Sequence, residues 1–220
     1  MKFIDLHVHS IFSSGVDTPS RLLHFAQQLG IDIGLCDGVG GYDTIGVELH
    51  PKNKRDLKRL LAKYREKVDY IIVHGGDEKI NSAAVRDERI DILAHPNLGR
   101  RGNGINRALA REAEMNNVAI EANLEEVIGS RKVDRLNIIR NIKTNLMLSR
   151  KYDFDLVVAS GAKCRYGLRS TRQVLELLKL LGFDEAEAED ATYRVPMKIL
   201  AENKERKDKN YVMKGVKVVG

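Results

Sequence analysis

Apolar residues recur along this chain in two alternating rhythms. Short, near-continuous apolar runs at 3–8, 31–36, 45–49, 70–73, 90–94, 118–122 and 156–159 have the length and composition of strands covered on both faces. Between them the spacing lengthens to that of a helix. Leu57, Leu60, Leu61 and Tyr64 follow the i, i+3, i+4, i+7 rule behind an Asn53 cap, and Val174, Leu177, Leu178 and Leu181 repeat it before Gly182. Another helix is predicted over 18–29, with Pro19 in its first turn and Gly30 just past its end. One crossover has no helical pattern: Asp37 to Thr44 carries Gly38, Gly40 and Gly41 and reads as a loop.

Strands and helices that take turns predict a parallel α/β architecture. About seven strands with outer helices predict an incomplete or distorted TIM-like barrel; a doubly wound sheet is the alternative that periodicity alone does not separate. No repeat or linker interrupts the 220 residues, so one domain over 1–220 is expected. Its last stretch, 203–220, is Lys-rich and then Val-rich and reads as an appendage or a frayed terminus.

Composition narrows the class. A hydrophobic content of 43% with 4 prolines argues for an ordered globular chain. No apolar stretch approaches the roughly 20 residues that cross a bilayer, and Met1 to Asp5 runs straight into a strand, so a cytoplasmic location is expected. Cys36 and Cys164 lie far apart with no CxxC pattern, which favours reduced thiols. A formal net charge of +6 points to a polyanionic partner without saying where the charge sits.

Candidate chemistry falls at the ends of the predicted strands. His7 and His9 end the first, Asp37 the second, Glu48 and His50 the third, His74 the fourth, His95 the fifth, Asn123 the sixth and Ser160 the seventh. In a parallel barrel those ends open on one face. His7 and His9, two apart on a strand, could offer two imidazoles to one ion, but a catalytic metal usually needs at least three protein ligands. Weaker signals are set aside. Ser10, Ser13 and Ser14 have no nucleophile elbow and read as capping or loop residues; His24 reads as surface and His50 as a loop residue. Gly99 to Arg107 lacks the ending of a Walker loop, and Gly38-Val39-Gly40 lacks the strand–helix context of a dinucleotide site.

The run Asp5-Leu6-His7-Val8-His9-Ser10, with Gly46-Val47-Glu48 and Ala94-His95-Pro96, resembles the polymerase-and-histidinol-phosphatase (PHP) superfamily. That resemblance implies a distorted seven-stranded barrel holding a metal cluster for phosphoester hydrolysis. Two departures weaken the metal site. Cys36-Asp37-Gly38 stands where threonine-aspartate-histidine is typical, and Ser160-Gly161-Ala162-Lys163 where serine-aspartate-alanine-histidine is. Gly161 removes a carboxylate and Lys163 adds a positive charge where a cation would want none. His7, His9, Glu48 and His95 are therefore read as vestigial ligands able at most to hold one adventitious ion, and no bound metal is expected.

Together with the stretch from Val85 to Pro96, and Val158 to Ala162 followed by Leu168-Arg169-Ser170, this variant pattern closely resembles the archaeal ribonuclease P protein component 3 family, from Phe3 to about Gly182. The resemblance implies a non-catalytic subunit of a ribonucleoprotein endonuclease that removes 5′ leaders from precursor tRNA. It implies that the RNA performs the cleavage with its own magnesium, that this chain needs no cofactor, and that its partners are the ribonuclease P RNA, protein component 2 and the other protein subunits, with precursor tRNA met indirectly. The runner-up is an autonomous, metal-dependent PHP-type phosphoesterase. A protein-binding scaffold is a third reading.

The arginines offer support of their own. The loop after the fifth strand carries Arg100, Arg101 and Arg107, and the loop after the seventh carries Lys163, Arg165, Tyr166, Arg169 and Arg172. Both leave the histidine face and lead into a helix N-terminus, where free N–H groups favour a phosphate. Arginine gives bidentate phosphate contacts, and Tyr166 could stack on an unpaired base, so these eight residues are the expected RNA contacts. The acidic run Asp184 to Asp190 is expected to be an exposed helical face that confines RNA to part of the surface.

Overall fold

The alternating rhythm folds as a ring of parallel strands wrapped by helices. The computed structural model describes residues 2–99, 101–207, 211–213 and 216–217. In chain order the elements are β1 (Ile4–Val8), α1 (Pro19–Leu29), β2 (Asp32–Leu35), β3 (Gly46–Leu49), α2 (Lys54–Tyr64), β4 (Tyr70–His74), α3 (Glu78–Ala84), β5 (Ile92–Ala94), α4 (Arg107–Met115) and β6 (Ala119–Asn123). Then follow α5 (Leu124–Gly129), α6 (Lys132–Tyr152), β7 (Leu156–Ala159), α7 (Thr171–Leu181), α8 (Glu185–Glu189), α9 (Val195–Arg206), and the strands β8 (Tyr211–Met213) and β9 (Val216–Lys217), which pair antiparallel.

β3 to β7 form one parallel ladder in sequence order, and β1 pairs in parallel with β2. Single parallel bridges, Leu35 to Ile45 and Val8 to Ala162, join the two ladders at both seams. The seven strands therefore follow one another around a distorted barrel, as expected. Strand starts lie later than the apolar runs at β1, β2, β3, β5 and β6, because hydrogen-bond register rather than apolarity sets the first paired residue. The helix signals were accurate. Thr18 and Asn53 cap α1 and α2, Ser170 and Gln173 form a capping box on α7, and Gly30 and Gly182 end their helices in the left-handed region. The loop from Asp37 to Thr44 is indeed without a helix.

Two apolar clusters divide the structure. The larger lies between the strands and the outer helices; the smaller fills the barrel and contains Ile4, Leu6, Cys36, Tyr70, Ile72, Ile92 and Val157, with Val195 and Ile199 from α9. α9 stoppers the end of the barrel where the strands begin. Asn203, the first residue of the stretch read as an appendage, is instead buried within this helix, and its Nδ2 donates to Asp91 Oδ1 at 2.8 Å. The other Asp91 oxygen accepts from Arg65 and from the Ile71 amide, both at 2.7 Å, so one carboxylate fastens α9, α2 and β4. The Tyr70 ring lies flat against the backbone of its neighbours. A Cβ at Gly46 would stand 2.1 Å from Tyr70 Cζ, and one at Gly34 would stand 2.4 Å from its hydroxyl.

Candidate functional site

The site begins with an irregularity in β1. Three residues separate Asp5 from Val8 where two separate Ile33 from Leu35, so β1 carries one extra residue. The bulge changes the phase of alternation: Ile4 and Leu6 belong to the inner cluster, and His7 and His9, an odd number of residues further on, also reach the barrel mouth. There the histidines form a belt. Ring centroids step from His9 to His7 (5.1 Å), to His95 (5.3 Å), to His74 (4.8 Å) and to His50 (4.5 Å), running from the buried interior to an exposed ring.

Glu48 sits at the centre of this belt. His74 Nδ1 donates to its Oε1 at 2.7 Å and His50 Nε2 to its Oε2 at 2.9 Å, while His7, His9 and His95 present Nε2 at 3.5, 3.3 and 3.9 Å. Burial alone would raise the Glu48 pKa, but the hydrogen bonds from His50, His7, His74 and His9 outweigh it and hold the carboxyl far below the usual range. His7 is treated the opposite way. Burial would favour its neutral form, yet Glu121 and Glu48 hold its pKa well above the ordinary histidine value. His7 Nδ1 donates to Glu121 Oε2 at 2.6 Å, and Glu121 stays ionised because His7 offsets the effect of its burial.

His7 extends the chain of contacts. Its Nε2 lies 3.1 Å from His9 Nε2, and on the other side of that ring His9 Nδ1 is hydrogen-bonded to Ser13 Oγ at 2.9 Å. The Ser13 hydroxyl in turn donates to Asp37 Oδ1, and Ser10 Oγ donates to Asp37 Oδ2 at 2.5 Å. Ser10 and Ser13 thus do more than cap or solvate the loop: Ser10 Oγ accepts from the Phe12 amide, and the two hydroxyls also orient His9 and Asp37. The order Asp37–Ser13–His9 puts the serine in the middle, where it relays a hydrogen bond and is not activated for attack. His50 lies in a loop as expected but belongs to the belt. His95 holds a left-handed backbone (φ +50°), and its Nδ1 donates to Glu126 Oε1 at 2.6 Å.

The basic loops flank this mouth in different settings. Arg101 lines a cleft of about 790 Å³ with Asn97, Glu126 and the α6 residues Val133, Asn137 and Arg140. Arg107 opens α4 and is exposed, as are Lys163 and Arg172; Arg100 lies outside the described residues. Arg165 is partly committed: it pairs with Asp17 at 3.5 Å and lies over the Tyr166 ring, 4.6 Å from its centroid. Tyr166 is 70% exposed, with one edge against Phe25 of α1. Arg169 folds back onto the carbonyls of Tyr166 and Leu168. The acidic run after Gly182 forms α8, exposed except for Ala188 and partly covered side chains.

The family model for RNase P subunit p30 matches residues 44–208, three quarters of the chain. The chain belongs to the RNase P subunit p30 family. It is 40% identical to ribonuclease P protein component 3 of Methanococcoides burtonii, across 98% of this chain and 93% of that one, and 41% identical to the protein of the same name from Methanosarcina acetivorans, across 99% and 96%. Its fold matches a chain in a cryo-EM structure of archaeal ribonuclease P with mature tRNA, at a TM-score of 0.74 and 23% identity over 99% and 98% of the two chains. A prolidase complexed with N-methylphosphonate-L-proline shares the fold more distantly, at a TM-score of 0.54 and 12% identity over 98% of this chain and 77% of that one.

Does the mouth of this p30-family barrel fit a metal? Three sets, His7–His9–Cys36, His7–His95–Glu121 and Glu48–His50–His74, each bring ligand atoms within 4.8 Å of one another, and the first two share His7. Each set supplies three donors of the kind a divalent ion takes. On the opposite wall the Asn123 amide fills the space beside Gly161, where a further carboxylate would have to stand. Lys163 is exposed, so its charge acts at the rim and not among the histidines.

The sequence places His7, His9, Glu48, His74 and His95 at strand ends on one face, where they meet, but His50 reads there as a loop residue and Glu121 and Glu126 are missed. Glu121 was legible as a lone charge inside the apolar run Ala119-Ile120-Glu121-Ala122. Glu126 was not, since nothing in a helix of two consecutive glutamates marks which one turns to a histidine.

Proposed function

We propose that this chain acts as a non-catalytic protein subunit of ribonuclease P, supporting RNA-catalysed removal of 5′ leaders from precursor tRNA. Membership of the p30 family, with component 3 relatives aligned across nearly the whole chain, carries this reading. In it, the RNA performs the cleavage with its own magnesium, and this chain binds that RNA and protein component 2 while meeting precursor tRNA indirectly. Two features of the mouth support a non-catalytic role. The serines are held as hydrogen-bond relays, and the space for a carboxylate at position 161 is filled by Asn123. The exposed Arg101, Arg107, Lys163, Tyr166 and Arg172, with Arg165 and Arg169 beside them, supply the cationic and stacking groups that RNA takes. A divalent ion held by His7, His9, Glu48 and His95 would supply Lewis acidity, but the proposed role requires none.

Reconstitution tests the reading. Precursor-tRNA cleavage by the RNA and the other proteins is measured with and without this chain; omission should lower the rate or raise the magnesium requirement. No effect of omission on either quantity would overturn it. The isolated chain should not hydrolyse small phosphoesters, whereas His7-dependent turnover would favour the phosphoesterase.

A further inference from the structure

The protein's net charge is gathered on one helix. α6 contains Lys132, Arg135, Arg140, Lys143, Arg150 and Lys151 against the single Asp134, and so holds +5 of the chain's formal +6. The rest of the chain is close to neutral, its two basic loops included. All six cationic residues are exposed, because α6 turns Asn141, Ile142, Asn145 and Leu146 inward.

Two of the six serve the fold. Arg150 forks onto the two Glu187 carboxylate oxygens at 2.6 and 2.8 Å, and Arg135 donates to the carbonyls of Ile128 and Ser130 at the end of α5. The others have no such partner. Among the described residues, Lys132, Arg140, Lys143 and Lys151 meet no carboxylate; Arg140 contacts Asn137, and Lys151 lies over the Tyr152 ring. At about 1.5 Å per residue, the row from 132 to 151 is on the order of 28 Å long. A row of that length with unpaired cations suits an extended polyanion better than a small anion.

The β5–α4 loop extends the same surface. Asn103 Nδ2 donates to Asn145 Oδ1 at 2.6 Å, and Asn145 Nδ2 returns a bond to the Asn103 carbonyl, so the loop is fastened to α6. Arg101 and Arg140 then line one cleft together with Asn137, Asn141 and the carboxylates of Glu126 and Asp134. We infer that the outer face of α6, with Arg101, is a docking surface for the sugar–phosphate backbone of RNA. This rests on the reading above that the chain works on RNA, and it names a surface that the loops alone do not supply. An acidic protein is the competing occupant. The exposed Val133 and Leu136 at one end and Met147 near the other are too few and too scattered for the apolar core of a protein interface of ordinary size.

The test uses the full-length chain and the cognate ribonuclease P RNA. Binding is measured against salt for the unaltered chain, for a variant with Lys132→Gln, Arg140→Gln, Lys143→Gln and Lys151→Gln, and for a loop variant with Lys163→Gln, Arg169→Gln and Arg172→Gln. Each lost phosphate contact makes the slope of log K against log salt shallower by roughly 0.7 to 0.9, so the slope for the α6 variant should be shallower by about three. Circular dichroism and thermal melting establish that each variant is folded. A charge-keeping variant, with Lys132→Arg, Lys143→Arg and Lys151→Arg, should keep the slope. An α6 variant that binds like the unaltered chain, while the loop variant weakens, overturns this inference and leaves the functional reading standing. An unaltered chain with no affinity for the RNA overturns both. Loss of a protein subunit from the reconstituted complex, with RNA binding unchanged, overturns it in favour of the acidic protein.

Discussion

The side-chain amide of Asn123 occupies the space that any larger residue at Gly161 would need. A Cβ at position 161 would lie 2.7 Å from both Nδ2 and Oδ1 of that amide. Glu121 holds the amide in place, accepting from its Nδ2 at 2.6 Å, while Oδ1 caps α5 by accepting from the Glu126 amide. A glycine at position 161 and an amide on β6 are thus one packing solution.

Restoring an aspartate there should be costly. Gly161 has φ +66°, so Gly161→Asp combines left-handed backbone strain with overpacking, each about 1–3 kcal/mol, and should lower stability by roughly 2–6 kcal/mol. Adding Asn123→Ser, which keeps a capping oxygen, should recover part of that loss. Urea denaturation of the single and double variants measures the coupling; strict additivity would show that the two side chains do not compete for the space.

A second steric pair lies inside the barrel. Gly46→Ala should destabilise by about 3 kcal/mol, because its methyl must displace the Tyr70 ring within a filled interior. Gly46→Ala with Tyr70→Leu should be more stable than Gly46→Ala alone. If denaturation finds the double variant weaker, the ring is not what excludes the methyl.

Asp5 sets a pH dependence. Burial is the main influence on its carboxyl and raises the pKa from 3.8 to about 6, although hydrogen bonds from Ser160 and His7 act the other way. The folded state therefore holds the proton more tightly than the unfolded chain does. Stability linked to this group is fully present below pH 3.8 and is lost as pH rises through about 6. Asp5→Asn keeps an acceptor for the Ser160 and His7 amides and removes the charge. Its stability relative to the unaltered chain should rise between pH 4 and pH 7, by about 3 kcal/mol, since each tenfold change in proton affinity is worth ~1.4 kcal/mol. A difference independent of pH would refute the assignment.

The histidine belt and the basic loops should separate in a cleavage assay. In the reconstituted enzyme, His95→Gln should keep kcat/KM within about twofold, under 0.5 kcal/mol, whereas Arg169→Ala with Arg172→Ala should lower it by about tenfold or more. The reverse ranking would move the function back to the histidines.

Much of the fold is readable in the chain itself. Runs buried on both faces announce the seven strands, and Thr18, Asn53 and Ser170 announce three helix starts, because those signals are local. The convergence of His7, His9, Glu48 and His95 follows from strand ends sharing one face. What escapes depends on residues distant in sequence or on backbone irregularity: the bulge in β1, the Asp37–Ser13–His9 relay and the amide beside Gly161. α6 escapes for another reason. Val133, Leu136 and Met147 on its outer face blur the amphipathic pattern, and a charge summed over the whole chain does not reveal one helix holding nearly all of it.

The stopper α9 bears on how the chain reaches this state during synthesis. Ile4 and Leu6 emerge first, yet the cluster they join is completed by Val195 and Ile199, almost at the other end. Since chains emerge N-terminal end first, the strands must wait with one mouth of their interior open to water. A ribosome that stalls before residue 195 leaves Tyr70, Ile72 and Ile92 uncovered from below, a surface that chaperones bind and proteases reach. Closure of the barrel interior is thereby tied to α9, which is synthesised only after all seven barrel strands.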